Sequence, residues 1–204
     1  MDNNVARLAD AYVRPLLERL APIPVDEWRH FARHLRLLQI ARGEALTRAG
    51  EPARSFGLVL AGVIRKAYVT ATGRSMARAF SGPGELVGAY ASLLSGNASH
   101  LTVDALVDST LFVMPWSAFV ALYDRHVCWQ IVGRRVAETE LLDRESRADE
   151  LLTQSPTERY EAFCVRHAPL LPFLHQYDIA SYLGITPVSL SRLRGRRRRR
   201  PSAG

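Results

Sequence analysis

The chain has little of what metal, redox or hydrolytic chemistry requires. Its 204 residues include two cysteines, Cys128 and Cys164, with no CxxC pair and no neighbouring Cys/His ligand pattern, so both are expected to be reduced and structural. Six histidines are scattered, and none falls in an HExxH frame; there is no phosphate-cradling Walker loop and no GxSxG nucleophile elbow. No enzyme activity is therefore expected. Long apolar runs are missing too. The stretch from Leu106 to Phe119 is interrupted by Asp108 and falls short of the ~20 residues a membrane span needs. The opening MDNNVARLADAY has no basic start, apolar run or small-residue cleavage site. These absences point to a cytoplasmic protein without a membrane partner.

What is present is an ordinary globular balance, 48% hydrophobic and 23% charged, with enough chain to bury a core. The formal charge of +7 is unevenly placed. Arg192, Arg194 and the run 196–200 are seven arginines; without them the chain has 20 basic and 20 acidic residues, so the whole excess lies at the C-terminal end. A neutral body with a compact cationic end suits a polyanion, although an arginine run can also be a solvated tail.

Apolar residues recur at helical spacing from Val5 to Leu20, and Asp26 can cap a second helix through Trp28, Phe31 and Leu35, so residues 5–38 read as helical. From Gln39 to Met114 the pattern changes to short apolar runs at 56–62, 63–70, 75–80, 101–106 and 110–114, punctuated by glycine. That spacing predicts an antiparallel jelly-roll β-barrel. After Pro115 the glycines stop, and 117–154 reads as a long helix with a break near Asp124 to His126. Val127, Ile131, Leu141, Ala148 and Leu152 approximate one stripe, which either packs on its own barrel or forms a two-chain seam. Ser155-Pro156-Thr157-Glu158 is a capping box with proline at the first helical position, so a new helix begins there. The expected divisions are 1–116, an N-terminal helical and effector-type barrel domain; 117–154, a connecting and dimerisation helix; and 155–204, a helical DNA-binding domain with an arginine-rich tail. The fold class is α+β.

Residues 175–195, HQYDIASYLGITPVSLSRLRG, carry the functional signal. Ile179, Ala180 and Leu183 form the inner face of one helix, Gly184 takes the left-handed turn, and Ile185 plugs the corner. Thr186 caps a second helix with Pro187 first, and Leu190 and Leu193 point inward. This is a helix-turn-helix pattern, which an ordinary αα corner can share. Its outward groups are Pro187, Val188, Ser189, Ser191 and Arg192. In a major groove Arg192 would bond a guanine edge and Val188 would contact a thymine methyl, while the cationic and hydroxyl groups of Thr186, Arg194, Arg196 and Arg197 would contact phosphates.

The succession of β-barrel, long helix and C-terminal helix-turn-helix resembles the Crp/Fnr family of bacterial transcription regulators across nearly the whole chain. GEPARSFGLVLAGVIR at 50–65, PGELVGAY at 83–90 and, most specifically, SYLGITPVSLSRLR at 181–194 carry the resemblance. It implies a homodimer on a two-fold-related double-stranded DNA operator, RNA polymerase as a further partner, and a small-molecule effector. Glu85, with Leu86 beside it, matches the acidic residue that holds a ribose hydroxyl. The family's Arg-Ser or Arg-Thr pair is replaced by Ser99 and His100, with no arginine between Arg78 and Arg125. A cyclic phosphate would lack its cation, so cAMP is not the expected effector. Two cysteines exclude the usual iron-sulfur ligand set, no histidine singles out haem, and no cofactor is expected. Where many relatives carry glutamate this chain has Val188, so the operator sequence does not transfer. The other reading is a small-molecule-binding sensor that acts through protein contacts, its basic tail a nonspecific RNA or membrane anchor.

Overall fold

A computed structural model describes residues 3–70 and 73–199, with side chains to 195 at the C-terminal end. Helix α1 (Asn3–Leu8) passes through a wider π turn (Ala9–Val13) into α2 (Arg14–Glu18). Pro15 accounts for the wide turn, because its ring nitrogen has no hydrogen for the preceding turn's carbonyl. Helix α3 (Val25–Ala32) has Pro24 at its cap position; Asp26 lies in its first turn and takes Arg29 at 3.3 Å instead of capping. The helical reading also ran too far, since a strand already begins at Arg36.

The strands are β1 (Arg36–Ile40), β2 (Ala45–Thr47), β3 (Ser55–Ala61), β4 (Ile64–Val69), β5 (Ser75–Ser81), β6 (Leu86–Val87), β7 (Leu101–Ala105) and β8 (Ser109–Pro115). They form two antiparallel four-stranded sheets in the orders β1-β8-β3-β6 and β2-β7-β4-β5, the jelly-roll arrangement. The expected barrel is not closed. No ladder joins the sheets among the described residues, and β2 and β6 are too short to bridge them. The molecule has instead a two-sheet sandwich, filled by Ile40, Val59, Ile64, Val103 and Leu111. Gly62 turns β3 into β4 at φ 93°, where any side chain would press on Ser109. The Ser109 hydroxyl accepts the Val63 N–H at 3.2 Å, which closes that turn.

Helix α4 (Tyr90–Ser95) lies between β6 and β7. After β8, α5 (Trp116–Val120) and a 3₁₀ turn (Ala121–Asp124) lead into α6 (Val127–Thr153), so the helix breaks where the sequence suggested. At 27 residues α6 is about 40 Å long. Its first turns are buried: Trp129 stacks on Phe31 of α3 at 4.9 Å and donates Nε1 to Glu27 at 2.9 Å. Farther along, Leu141, Leu142 and Leu152 are exposed on this single chain.

The C-terminal helices are α7 (Pro156–Arg166), α8 (Gln176–Leu183) and α9 (Pro187–Arg199), with a 3₁₀ turn (Leu171–Phe173) before α8. The Ser155 box is complete: its hydroxyl accepts the Glu158 N–H at 3.3 Å, and the Glu158 carboxylate accepts the Ser155 N–H at 2.8 Å. These helices share one apolar core with the second sheet, in which Phe80 of β5 meets Phe163 and Tyr182.

Candidate nucleic-acid interface

Gly184 closes α8 in the left-handed region at φ 69°. The Thr186 hydroxyl accepts the Ser189 N–H at 3.1 Å and so caps α9, whose first residue, Pro187, has no N–H to leave unsatisfied. Ile179, Leu183 and Leu190 are fully buried, with Ile185 and Leu193 packed against them. The inner face therefore fixes α9 across the end of α8. Outward, Pro187, Val188, Ser191 and Arg192 are exposed, Val188 by 60%, and Ser189 is half-buried. Positions 188, 191 and 192 share one helix face. Arg194 is turned inward and donates Nε to the Tyr160 hydroxyl at 3.2 Å, which holds α9 on α7. The backbone of Arg196 and Arg197 continues α9, and their side chains lie outside the described residues.

The helix pair is fastened to the sandwich. Arg65 of β4 grips Asp104 of β7 with Nε at 3.1 Å and Nη2 at 2.7 Å, and its Nη1 holds Asp178 of α8 at 2.6 Å. Burial would lower the Arg65 pKa; Asp104, then Asp178, more than offset it, and the net direction is upward. Two backbone groups of β5 are satisfied from α8: the Ala77 N–H donates to the Ser181 hydroxyl at 3.1 Å, and the Ser75 carbonyl accepts from Tyr177 at 2.9 Å. At the far end of α8, Arg159 of α7 donates to the Leu183 carbonyl at 3.1 Å, and Arg147 of α6 donates to that of Tyr182.

Sandwich, α6 and the C-terminal helices enclose a cleft of about 540 Å³. Lys66, the only lysine in the chain, projects from β4 and is 5% exposed. It meets Glu140 of α6 at 2.8 Å, with Arg78 of β5 at 3.6 Å from the same carboxylate. Burial would raise the Glu140 pKa, but Lys66, Arg78 and Arg144 draw it below the usual carboxylate range. Glu150 is likewise held down, against its burial, by Arg166 and Arg147. His167 lines the cleft among Phe80, Phe163 and Tyr182, with no hydrogen-bond partner for Nε2. Burial, then the neighbouring Arg166, lowers its pKa to about 4.

Of the expected effector residues, Glu85 and Leu86 line this cleft, and Ser99 and His100 do not. Glu85 accepts the Gly82 N–H at 2.9 Å and so closes its own turn. Ser99 is buried, exchanging hydrogen bonds with the Leu101 backbone at 2.7 and 3.0 Å, and His100 is exposed. Glu140, Arg147, Arg166 and His167, which sequence reasoning missed, come together only through tertiary packing. Lys66 had a local signal, a charge at an inward position of an apolar strand, beside a register shift at Lys66/Ala67. Among the described residues, no group of three or more His, Cys, Asp or Glu could hold a metal, and no helix is long and apolar enough to cross a membrane.

The sandwich, with the short helix α4 between β6 and β7 and helix α5 after β8, is the part of the chain for which a known family is matched. Residues 37–126 match the family described as Cyclic nucleotide-binding domain. No curated protein sequence matches the chain. The fold is similar to that of FixK2 from Bradyrhizobium japonicum (TM-score 0.70, 22% identity, 83% of this chain and 89% of that one). It is also similar to CLP, the c-di-GMP responsive global regulator of Xanthomonas campestris (0.63, 17%, 84% and 90%). A regulatory subunit of a cAMP-independent protein kinase A from Trypanosoma brucei is similar over 68% of this chain and 49% of that one (0.53, 19%).

Proposed function

We propose that the chain is a sequence-specific DNA-binding transcription regulator of the Crp/Fnr type, without catalysis. The observation that carries this reading is the capped helix α9, with Val188, Ser191 and Arg192 on one exposed face and an arginine cluster continuing it. The face has a methyl-bearing group for a thymine and a guanidinium for a guanine, and its cations would neutralise phosphates. Homodimerisation runs through α6, whose Leu141, Leu142 and Leu152 have no cover on the single chain. A two-fold dimer would present two α9 helices to successive major grooves. The effector is unknown, and cAMP is disfavoured because the Ser99 hydroxyl is engaged by the Leu101 backbone and no arginine stands on the segment from β6 to β7.

Selection of duplexes from a random-sequence pool, followed by footprinting, tests the reading. One selected site should be protected on two half-sites about one helical turn apart. Equal affinity for random duplex overturns it. The second reading, a sensor that signals through protein contacts, draws on the similarity to a kinase regulatory subunit and on the cleft. Truncation after Gly195 separates the two: a regulator keeps its base preference with weaker, less salt-sensitive binding, whereas an anchored sensor loses nucleic-acid or lipid association entirely.

A further inference from the structure

The turn between β1 and β2 places Arg42 of the sandwich beside the start of the C-terminal helix pair. Its Nη2 lies 3.0 Å from Nε2 of His175, the residue that precedes α8. The next residue, Gln176, donates Nε2 to the Pro187 carbonyl at the first position of α9, at 3.1 Å. Arg42, His175, Gln176 and Pro187 are all exposed, so they form a continuous polar path from the sandwich to the helix that carries Val188 and Arg192.

The neighbouring carboxylates, Glu44 of this turn and Asp108 of the turn between β7 and β8, bond backbone N–H groups, and neither is ion-paired with the Arg42 guanidinium. Glu44 accepts the Ala41 N–H at 2.7 Å, and Asp108 accepts the Arg42 backbone N–H at 2.9 Å. Both fix the turn's backbone and leave the guanidinium with an imidazole as its neighbour. A guanidinium has five donors and a permanent charge, and one imidazole nitrogen takes up one donor. An exposed guanidinium held this way suits an anion that can accept two parallel hydrogen bonds, as a phosphate does. Its position is also fixed. The Arg65–Asp178 bond and the β5–α8 contacts anchor α8 on the sheet whose β4 and β7 carry Arg65 and Asp104. A phosphate contact from this turn therefore does not have to order a loose segment first.

We propose that Arg42 is a DNA-phosphate contact supplied by the sandwich, extending the binding surface of α9 along the backbone flanking the bases that α9 reads. This rests on the DNA reading above. It divides the interface by role: α9 selects bases, and Arg42 adds affinity and orientation without sequence preference.

The test uses the full chain and a duplex selected by it, with affinity measured between about 50 and 200 mM salt. For Arg42→Gln the slope of log K against log salt should fall by about 0.9 per bound protomer, with binding severalfold weaker and base preference unchanged. Arg42→Lys should keep most of the slope, and ethylation of one flanking phosphate per half-site should weaken wild type but not Arg42→Gln. Arg42 is exposed, so an unchanged circular dichroism spectrum is expected for both variants. A wild-type chain that binds no duplex overturns the DNA reading itself. A wild-type chain that binds, with a slope Arg42→Gln leaves unchanged, overturns the Arg42 assignment alone. That second outcome would leave the turn as a surface for an acidic protein.

Discussion

Asp178→Ala tests whether charge fastens the C-terminal helices to the sandwich. The carboxylate is 6% exposed and the Arg65 side chain 17%, and they meet at 2.6 Å. Losing a charge-assisted hydrogen bond costs about 1.5–3 kcal/mol. Losing an acid from the first turn of α8 adds about 0.3–1 kcal/mol. Arg65 keeps its two bonds to Asp104, so it is not orphaned and the larger penalty for an uncompensated buried charge does not apply. The expected loss is about 2–4 kcal/mol. Arg65→Met should cost more, about 3–5 kcal/mol or above, because it strands Asp104 and Asp178 together. Urea unfolding at neutral pH measures both. Trp28, Trp116 and Trp129 all lie outside the C-terminal helices, so their fluorescence follows the rest of the fold while far-ultraviolet circular dichroism follows all helices. In Asp178→Ala the dichroism transition should move to lower urea than the fluorescence transition as the helices undock first. A loss under ~0.5 kcal/mol, or an Asp178→Ala cost above that of Arg65→Met, would refute the reasoning.

Other expectations follow from the cleft and from α6. His167 has a native pKa of about 4 against an unfolded value near 6.5, so below 6.5 the unfolded chain takes a proton that the folded chain refuses. Stability should fall as pH drops from about 6.5 to 4, by up to about 3 kcal/mol, and His167→Phe should remove that component in urea titrations at several pH values. Lys66 is the chain's only lysine, so amine-reactive labelling read at Lys66 by peptide mass, apart from the α-amino terminus, reports how often α6 lifts from the sandwich. Glu140→Ala should cost about 3 kcal/mol and speed Lys66 labelling; unchanged protection would mean that Glu140 does not hold the helix. Leu141→Arg with Leu152→Arg should leave the fold within ~0.5 kcal/mol per site, since both side chains are already exposed. The same pair should convert a sedimenting dimer to monomer and weaken operator binding; a wild-type monomer would refute the seam.

Much of the C-terminal geometry was legible because its signals are local. A cap, a proline at the first helical position and a left-handed glycine each act within four residues, so Ser155, Thr186 and Gly184 could be read from the sequence. The longer strands were legible for a similar reason, glycine marking their ends. β2 and β6, at three and two residues, are too short for any period to show. The first three residues of β1, Arg36 to Leu38, read as helix because adjacent leucines show no alternation, and as an edge strand β1 buries only Ile40. Closure of the barrel could not be read at all, since it depends on hydrogen bonds between sheets and not on their composition. The cleft was equally hidden. Lys66 and Glu140 are 74 positions apart, and Arg42 and His175 are 133 apart, separations that no spacing rule covers.

The contacts joining the two halves differ in what they determine. Phe80 against Phe163 and Tyr182, and Leu170 near Gly82, bury apolar surface, which favours association but tolerates sliding. Three ion networks tie the halves together in series: Arg65 with Asp104 and Asp178 joins the sandwich to α8, Lys66 and Arg78 with Glu140 joins it to α6, and Arg147 and Arg166 with Glu150 joins α6 to α7. Each joins different elements, and each places one group between two of opposite charge, so a displacement of one helical turn would leave charges buried without partners. Desolvation offsets most of what such networks add to stability. Their physical effect is instead on register: the Arg65 network penalises every docking of α8 on the sheet except the one in which Arg65 reaches Asp178. That register also sets the distance between Arg42 and α9, so the sandwich can serve the proposed DNA surface only while this network is intact.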